Sequence, residues 1–342
     1  MTAESTAAAP LLEIRDVTKT FAAQESPLVA NSHINLTIER GKSLALVGES
    51  GSGKTTLARI VCGLDEPDSG TVHILGTPLT SARAKEKRTL YRHLQMVFQN
   101  PVDSFNPRRK LGQSILDAAA NAGVAAAEAR ARLPHLLEEV GLPTSYAERY
   151  PSQVSGGECQ RAAIARALAF GPELLVCDEC TSALDVLVQS QIIELLNRLR
   201  TTTQVTLLFI SHDLAVVSSV ADEVAVMLKG HIVEYGPVNE VLRAAKHPYT
   251  QLMSASVFPT EPKSGWQIPV IEEREVKTDA SAPFTGCPFS SRCPKASERC
   301  AHELPADHEV ASGHLVKCWL YDEDKHEKPI SAQEPARNAP QV

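Results

Sequence analysis

No stretch of this chain approaches the ~18–20 uninterrupted apolar residues of a membrane span. The longest apolar runs, such as VTLLFI (205–210), are strand-sized. The N-terminal MTAESTAAAP lacks both the basic region and the apolar core of a secretory leader. Positive charge is in deficit as well. The 34 Lys and Arg against 41 Asp and Glu leave −7, which disfavours non-specific binding to nucleic acid. No internal repeat is visible. These absences predict a protein of the cytoplasm, or of the cytoplasmic face of something that does span a membrane.

What is present is ordinary in bulk. Apolar residues at 43% and charged ones at 22% suit a soluble globular protein. The 342 residues leave room for about two domains of ~100–200 residues. From LLEIRDVTKTF onward, short apolar runs alternate with amphipathic helical stretches, the α/β pattern. Strands are expected at 43–47, 94–98, 173–177, 205–210 and 223–228. Several are apolar throughout, as parallel strands covered on both faces are. Between Gln99 and Ser155 the pattern turns helical, broken by Gly123 and Pro134. The expected organisation is therefore a disordered N-terminus (1–10), an α/β domain (11–257) with an inserted helical subdomain (about 100–170), a Pro- and charge-rich linker (258–286), a cysteine-rich module (287–321) and a disordered tail (322–342).

Three motifs carry chemistry. GESGSGKTT (48–56) fits G-x-x-x-x-G-K-[ST], with a strand before it and a helix after it. Gly48, Gly51 and Gly53 allow the tight turn, and the backbone of Glu49, Ser50, Ser52 and Thr56 completes the loop. Its N–H groups and the helix N-terminus suit phosphate oxygens. Lys54 is placed to reach the β- and γ-phosphates, and the Thr55 hydroxyl to ligate Mg²⁺. A glycine-rich turn that merely contains a lysine would not need that strand and helix. Second, ELLVCDEC ends a buried strand on adjacent carboxylates. Asp178 is suited to hold Mg²⁺ and Glu179 to polarise an attacking water. Third, Ser155, Gly156 and Gly157 in VSGGECQRAAIARAL open a helix whose N-terminus offers N–H groups to another anion. One nucleotide does not need two such sites in one chain.

The phosphate loop, the serine-glycine-glycine signature, CDE, SALD and SHD stand in an order that resembles the ATP-binding cassette (ABC) ATPase family, over roughly residues 11–257. The resemblance implies a P-loop NTPase fold and ATP hydrolysis with Mg²⁺. It matches Phe21 to the aromatic that stacks on adenine and Gln99 to the residue that touches Mg²⁺ and the attacking water. It matches Ser155–Gly157 to the signature that contacts the γ-phosphate on another subunit. Asp185 links the two sites of a dimer, and His212 is the switch histidine on the γ-phosphate. Glu179, His212 and Gln99 are thus the expected catalytic set. Two positions depart from the family pattern. Glu158 replaces the more usual glutamine and is expected to weaken the composite site that uses this signature. Cys180 replaces a common proline and is expected to matter little.

NPVDSFNPRRKLGQSI (100–115) and KHPYTQLMSAS (246–256) further resemble the ATPases of dipeptide and oligopeptide importers, with nickel or other small-solute importers of the same group as the alternative cargo class. The resemblance implies two transmembrane permease subunits, a second ATPase subunit (a non-identical sister chain), an extracytoplasmic substrate-binding protein, no nucleic acid, and a place on the cytoplasmic face of the membrane. A soluble, non-transport ABC ATPase is the other class; such proteins commonly carry two cassettes or long coiled-coil inserts, which this chain lacks.

Of eight cysteines, Cys62, Cys159, Cys177 and Cys180 are scattered through ordered elements. In a reducing compartment, buried thiols or metal ligation are the readings for such residues. Cys287, Cys293, Cys300 and Cys318 follow C-x5-C-x6-C-x17-C, gaps longer than the usual zinc knuckles. The spacing leaves iron–sulfur, zinc and no metal open. The family resemblance implies a [4Fe–4S] cluster on these four residues.

Overall fold

The computed structural model describes residues 9–22, 27–256 and 285–322. The expected N-terminal disorder, the linker and the tail fall outside those residues except at their edges. Strands β1 (Leu12–Phe21) and β2 (Leu28–Ile38) precede β3 (Ser43–Val47), which leads through the glycine loop into α1 (Lys54–Val61). β4 (Ser69–Ile74), β5 (Thr77–Pro78), α2 (Ala84–Leu90) and β6 (Leu94–Val97) follow. The inserted helices are α3 (Leu111–Asn121), α4 (Ala126–Glu139) and α5 (Gly156–Leu168). The chain then alternates β7 (Leu174–Asp178), α6 (Val186–Thr203), β8 (Thr206–Ser211), α7 (Leu214–Val220) and β9 (Glu223–Leu228). β10 (His231–Pro237), α8 (Val238–Arg243) and α9 (Pro248–Ala255) complete that run, and α10 (Glu298–His302), β11 (His308–Ala311) and β12 (His314–Val316) lie near the C-terminus.

Two sheets result. A four-stranded antiparallel sheet has the order β2-β1-β4-β5, and an eight-stranded one runs β11-β12-β10-β9-β3-β8-β7-β6. The strands from β9 to β6 are mutually parallel, and β10, β12 and β11 extend the edge antiparallel. Period-two alternation divides the interior into two cores. Ala45 and Val47 face the helical side, and Leu44 and Leu46 face the side of α1 and the smaller sheet. This explains why β3, β7 and β8 read as unbroken apolar runs: neither face meets water.

The helical insert ends α3 near Gly123, whose φ of 82° lies in the left-handed region. The expected break at Pro134 does not occur. α4 continues through it, forgoing the one ladder bond its missing N–H would have made.

The cysteine-bearing segment is not folded apart. Its hairpin pairs with the main sheet, Glu234 opposite Val316 and Tyr235 opposite Leu315. Cys287, Phe289, Cys293 and Ala296 join the larger core. Beneath this seam, the buried Glu234 carboxylate accepts the N–H groups of Lys246 and His247 and lies 2.7 Å from His314 Nε2. The sequence reading took residues 287–321 as a separate module because the apolar residues there are few. They suffice because they complete an existing core.

Candidate functional site

The C-terminal ends of β3, β6, β7 and β8 lie side by side, the edge at which open parallel sheets place their ligands. β3 ends in the glycine loop. A Cβ on Gly48 would lie 2.0 Å from the Met227 carbonyl oxygen, and one on Gly53 1.9 Å from that of Ala30. Both have positive φ, so only glycine lets the loop pass between these backbones. Lys54, 4% exposed, folds back and donates from Nζ to the carbonyls of Gly48 and Glu49, both at 2.8 Å. Burial lowers its pKa, opposed by the charges of Glu179, Asp178 and Glu49.

β7 carries the next pair of groups. Asp178 is 5% exposed, and its carboxylate accepts the Thr55 hydroxyl at 3.1 Å. Burial raises its pKa; the Thr55 hydrogen bond opposes that. A buried, charge-starved carboxylate beside a hydroxyl is a donor set suited to a hard cation, so the residues present fit Mg²⁺. Glu179 follows at φ 45°, an uncommon conformation for a side chain of its size. It turns the carboxylate away from the strand's alternation and toward two other strand ends. Gln99, after β6, donates from Nε2 to Glu179 at 3.1 Å and to the Ser182 hydroxyl at 3.3 Å. His212, after β8, places Nδ1 3.7 Å from the other Glu179 oxygen. The three residues expected to act on water thus meet around one carboxylate.

The signature lies elsewhere on the chain. Ser155 caps α5, and Glu158 closes the capping box by accepting Ser155 N–H at 2.8 Å and its hydroxyl at 2.9 Å. Tyr146 donates to the second Glu158 oxygen at 2.6 Å. That hydrogen bond, then those from Ser155, lower the Glu158 pKa. Among the described residues, the Ser155 side chain bonds to Glu158 and not to the phosphate loop. A Cβ on Gly157 would come 2.4 Å from Val188, so this glycine lets α5 and α6 approach. Asp185 caps α6 through Val188 N–H at 3.0 Å, followed by the exposed Val186 and Leu187. Phe21 is 40% exposed, with Lys19 Nζ 5.5 Å from its ring centre.

The four late cysteines line one cavity of about 90 Å³ with His247, Phe289 and Trp319 among its other walls. None of the four is joined in a disulfide. Burial pushes Cys287 up to about 12 and Cys318 to about 11. His247 Nδ1 accepts the Tyr249 N–H, while its buried Nε2 has no hydrogen-bond partner. Among the described residues, no group of three or more His, Cys, Asp or Glu side chains is set to hold a metal ion. The expectation of a metal cluster therefore gains no direct support.

Two contacts were missed by sequence reasoning. The Glu49 N–H donates to the Tyr249 hydroxyl at 2.9 Å, and Arg292 binds the Glu49 carboxylate. Separations of 200 and 243 residues leave no local signal for either.

Comparison with known proteins agrees with this geometry. Residues 31–182 match the ABC transporter family model, and residues 233–300 match that of the oligopeptide/dipeptide transporter C-terminal region. The chain is 41% identical to the "Probable peptide ABC transporter ATP-binding protein" of Sinorhizobium fredii, over 91% of this chain and 90% of that one. It is 39% identical to the di/tripeptide transport ATP-binding protein DppF of Pseudomonas aeruginosa, over 86% and 93%. Among solved structures, a dimeric ATP-binding cassette in a post-hydrolysis state with ADP and Pi matches at TM-score 0.60 and 28% identity, over 66% of this chain and 98% of that one. The cbiO1 subunit of the cbiONQ ABC transporter complex from Clostridium perfringens matches at 0.62 and 27%, over 69% and 92%.

Proposed function

This chain belongs to the ATP-binding subunits of peptide ABC transporters, and on that premise we propose how its residues carry out ATP-driven peptide import. It is an ATPase. The observation that supports the reading best is the meeting of Gln99 and His212 on the two oxygens of Glu179, beside the phosphate loop. In our reading Glu179 accepts the proton of the attacking water, Gln99 orients that water, and His212 donates to the γ-phosphate. Lys54 leaves its two carbonyls for the phosphate oxygens. Thr55 and Asp178 would hold Mg²⁺, which when bound screens phosphate charge. Phe21 stacks on adenine.

The signature of Ser155–Gly157 and the cap at Asp185 serve a second ATPase chain, a sister subunit, across a dimer that exposed Val186 and Leu187 would help to close. No helix among the described residues is long and apolar enough to cross a membrane. In this reading two permease subunits supply the path, this chain works from their cytoplasmic face, and an extracytoplasmic protein delivers the peptide. The four late cysteines are read as ligands of a [4Fe–4S] cluster, supported by their lining one cavity. When bound, such a cluster would cross-link the segment.

The test is gentle solubilisation and affinity capture of the chain, followed by ATP hydrolysis with and without peptide. Recovery of two multi-span permeases and a sister ATPase, with peptide-dependent hydrolysis, is expected. Recovery of ribosomal or DNA-bound partners alone would overturn the importer reading.

A further inference from the structure

The cysteine-bearing segment holds the phosphate loop directly. Arg292 donates from Nη1 and Nη2 to the two Glu49 oxygens at 2.8 and 3.0 Å, a two-pronged pair on the second residue of the loop. The loop backbone is held at the same residue by Tyr249, whose hydroxyl accepts the Glu49 N–H. The two holds share support. The Phe289 ring lies 5.5 Å from that of Tyr249 and 6.0 Å from that of His247, and the Arg292 guanidinium lies 5.2 Å from the Phe289 ring centre. Phe289, Tyr249 and His247 are each at most 1% exposed, so this support is fixed by packing. Cys293, the neighbour of Arg292, lines the thiol cavity together with His247 and Phe289.

We propose that Arg292 and Tyr249 are positioning residues for the phosphate loop, through which the C-terminal segment sets the affinity for ATP. This rests on the reading that the loop binds ATP. Glu49 puts a negative charge on a loop whose ligand is itself an anion. Its carboxylate also acts on Lys54, the cation expected to meet the phosphates. Arg292 offsets that charge and holds the carboxylate on the C-terminal side. Tyr249 occupies the Glu49 N–H and so fixes where the loop leaves β3. A shift of the segment around its cavity would release both holds together and leave an uncompensated carboxylate beside the ATP site.

The measurement is ATP binding by displacement of a fluorescent nucleotide from the full chain, with KM and kcat measured on the assembled transporter. Arg292→Ala is expected to weaken ATP binding about fivefold and to raise KM with kcat within about twofold, an effect within the range of a partly exposed charged pair. Arg292→Lys should recover part of the loss. In the Glu49→Gln background the effect of Arg292→Ala should fall below about twofold, because the two residues act as a coupled pair. Glu49→Gln alone removes both the hold and the loop's own negative charge, opposing effects that should leave ATP binding within about twofold. Equal losses from Arg292→Ala in both backgrounds would assign it a merely structural role and overturn the proposal. Unchanged affinity in Arg292→Ala would do the same. A wild-type chain that binds no ATP would instead sink the nucleotide reading itself.

Discussion

The strand ends around Glu179 and the segment around the four cysteines are built in opposite ways. At the first, each working residue stands just past a parallel strand, and the sheet alone brings Gln99, Asp178, Glu179 and His212 together. At the second, no sheet edge dictates the arrangement beforehand. The segment is held by a short antiparallel pairing to β10, by His314 against the buried Glu234, and by Arg292 on Glu49. The first region lies at the strand ends of the central sheet. The second is packed into the larger core through Cys287, Phe289, Cys293 and Ala296, and its polar ties can be removed singly. The proposed chemistry sits on the sheet, and the proposed control reaches it through side-chain ties.

If that contrast is right, damage at the strand ends should remove activity while sparing the fold. Glu179→Gln gives the largest effect. Loss of a general base is expected to slow ATP hydrolysis at least about 10²-fold, with ATP still bound. Hydrolysis by the assembled transporter and nucleotide binding by the same preparation check it. Retained turnover would break the contrast, since the water would then be activated elsewhere. Gly53→Ala is next. Its new Cβ would meet the Ala30 carbonyl oxygen at 1.9 Å, so the loop must move and ATP binding should fall about tenfold or more. Near-wild-type ATP affinity in that variant would show that the loop tolerates displacement.

The same contrast explains what the sequence disclosed. The glycine loop, the CDE strand end and SHD are legible because function needs adjacent residues at a strand exit. Their places at strand exits could be expected before their contacts were known. The strands at 43–47 and 223–228 fall where the apolar runs place them. What stayed hidden depends on distant partners. β10 and β12 pair although they lie far apart in the chain, and Arg292 reaches Glu49 across 243 residues. Pro134 misled because a helix tolerates one lost ladder bond when its buried face, with Leu136 and Leu137, is packed. Tyr249 sat within a quoted motif, but nothing in KHPYTQLM says where its hydroxyl goes.

A middle-sized effect should come from the attached segment. His314→Ala removes the side-chain partner of Glu234, both being at most 1% exposed. A hydrogen bond to a charged buried group is worth about 1.5–3 kcal/mol, and Glu234 keeps its two backbone donors. Chemical denaturation should show that loss, and limited proteolysis should cut first between residues 285 and 322. A global loss without early cleavage there would mean that the segment and the central sheet form one cooperative unit, which would erase the contrast.

The smallest effect concerns the signature, which lies between the two extremes. In the proposed dimer Ser155 donates its hydroxyl to a phosphate in a partner's site, whereas here that hydroxyl donates to Glu158. Glu158→Gln would keep an acceptor for the Ser155 N–H, as a capping box allows, while removing the charge that competes with phosphate. Hydrolysis by the assembled pair should rise about twofold, within the modest range of exposed charge effects. The sign with pH follows from the lowered Glu158 pKa, set first by the Tyr146 hydroxyl. A depressed carboxylate stabilises the fold at every pH above its unfolded value. The contribution is lost only as pH falls through the folded one, below the usual carboxylate range. The cap is therefore intact at neutral pH, and the Glu158→Gln gain should be the same from pH 6.5 to about 8, a window clear of that titration. A gain that disappeared within this window would mean that another group, not the Glu158 carboxylate, limits the signature.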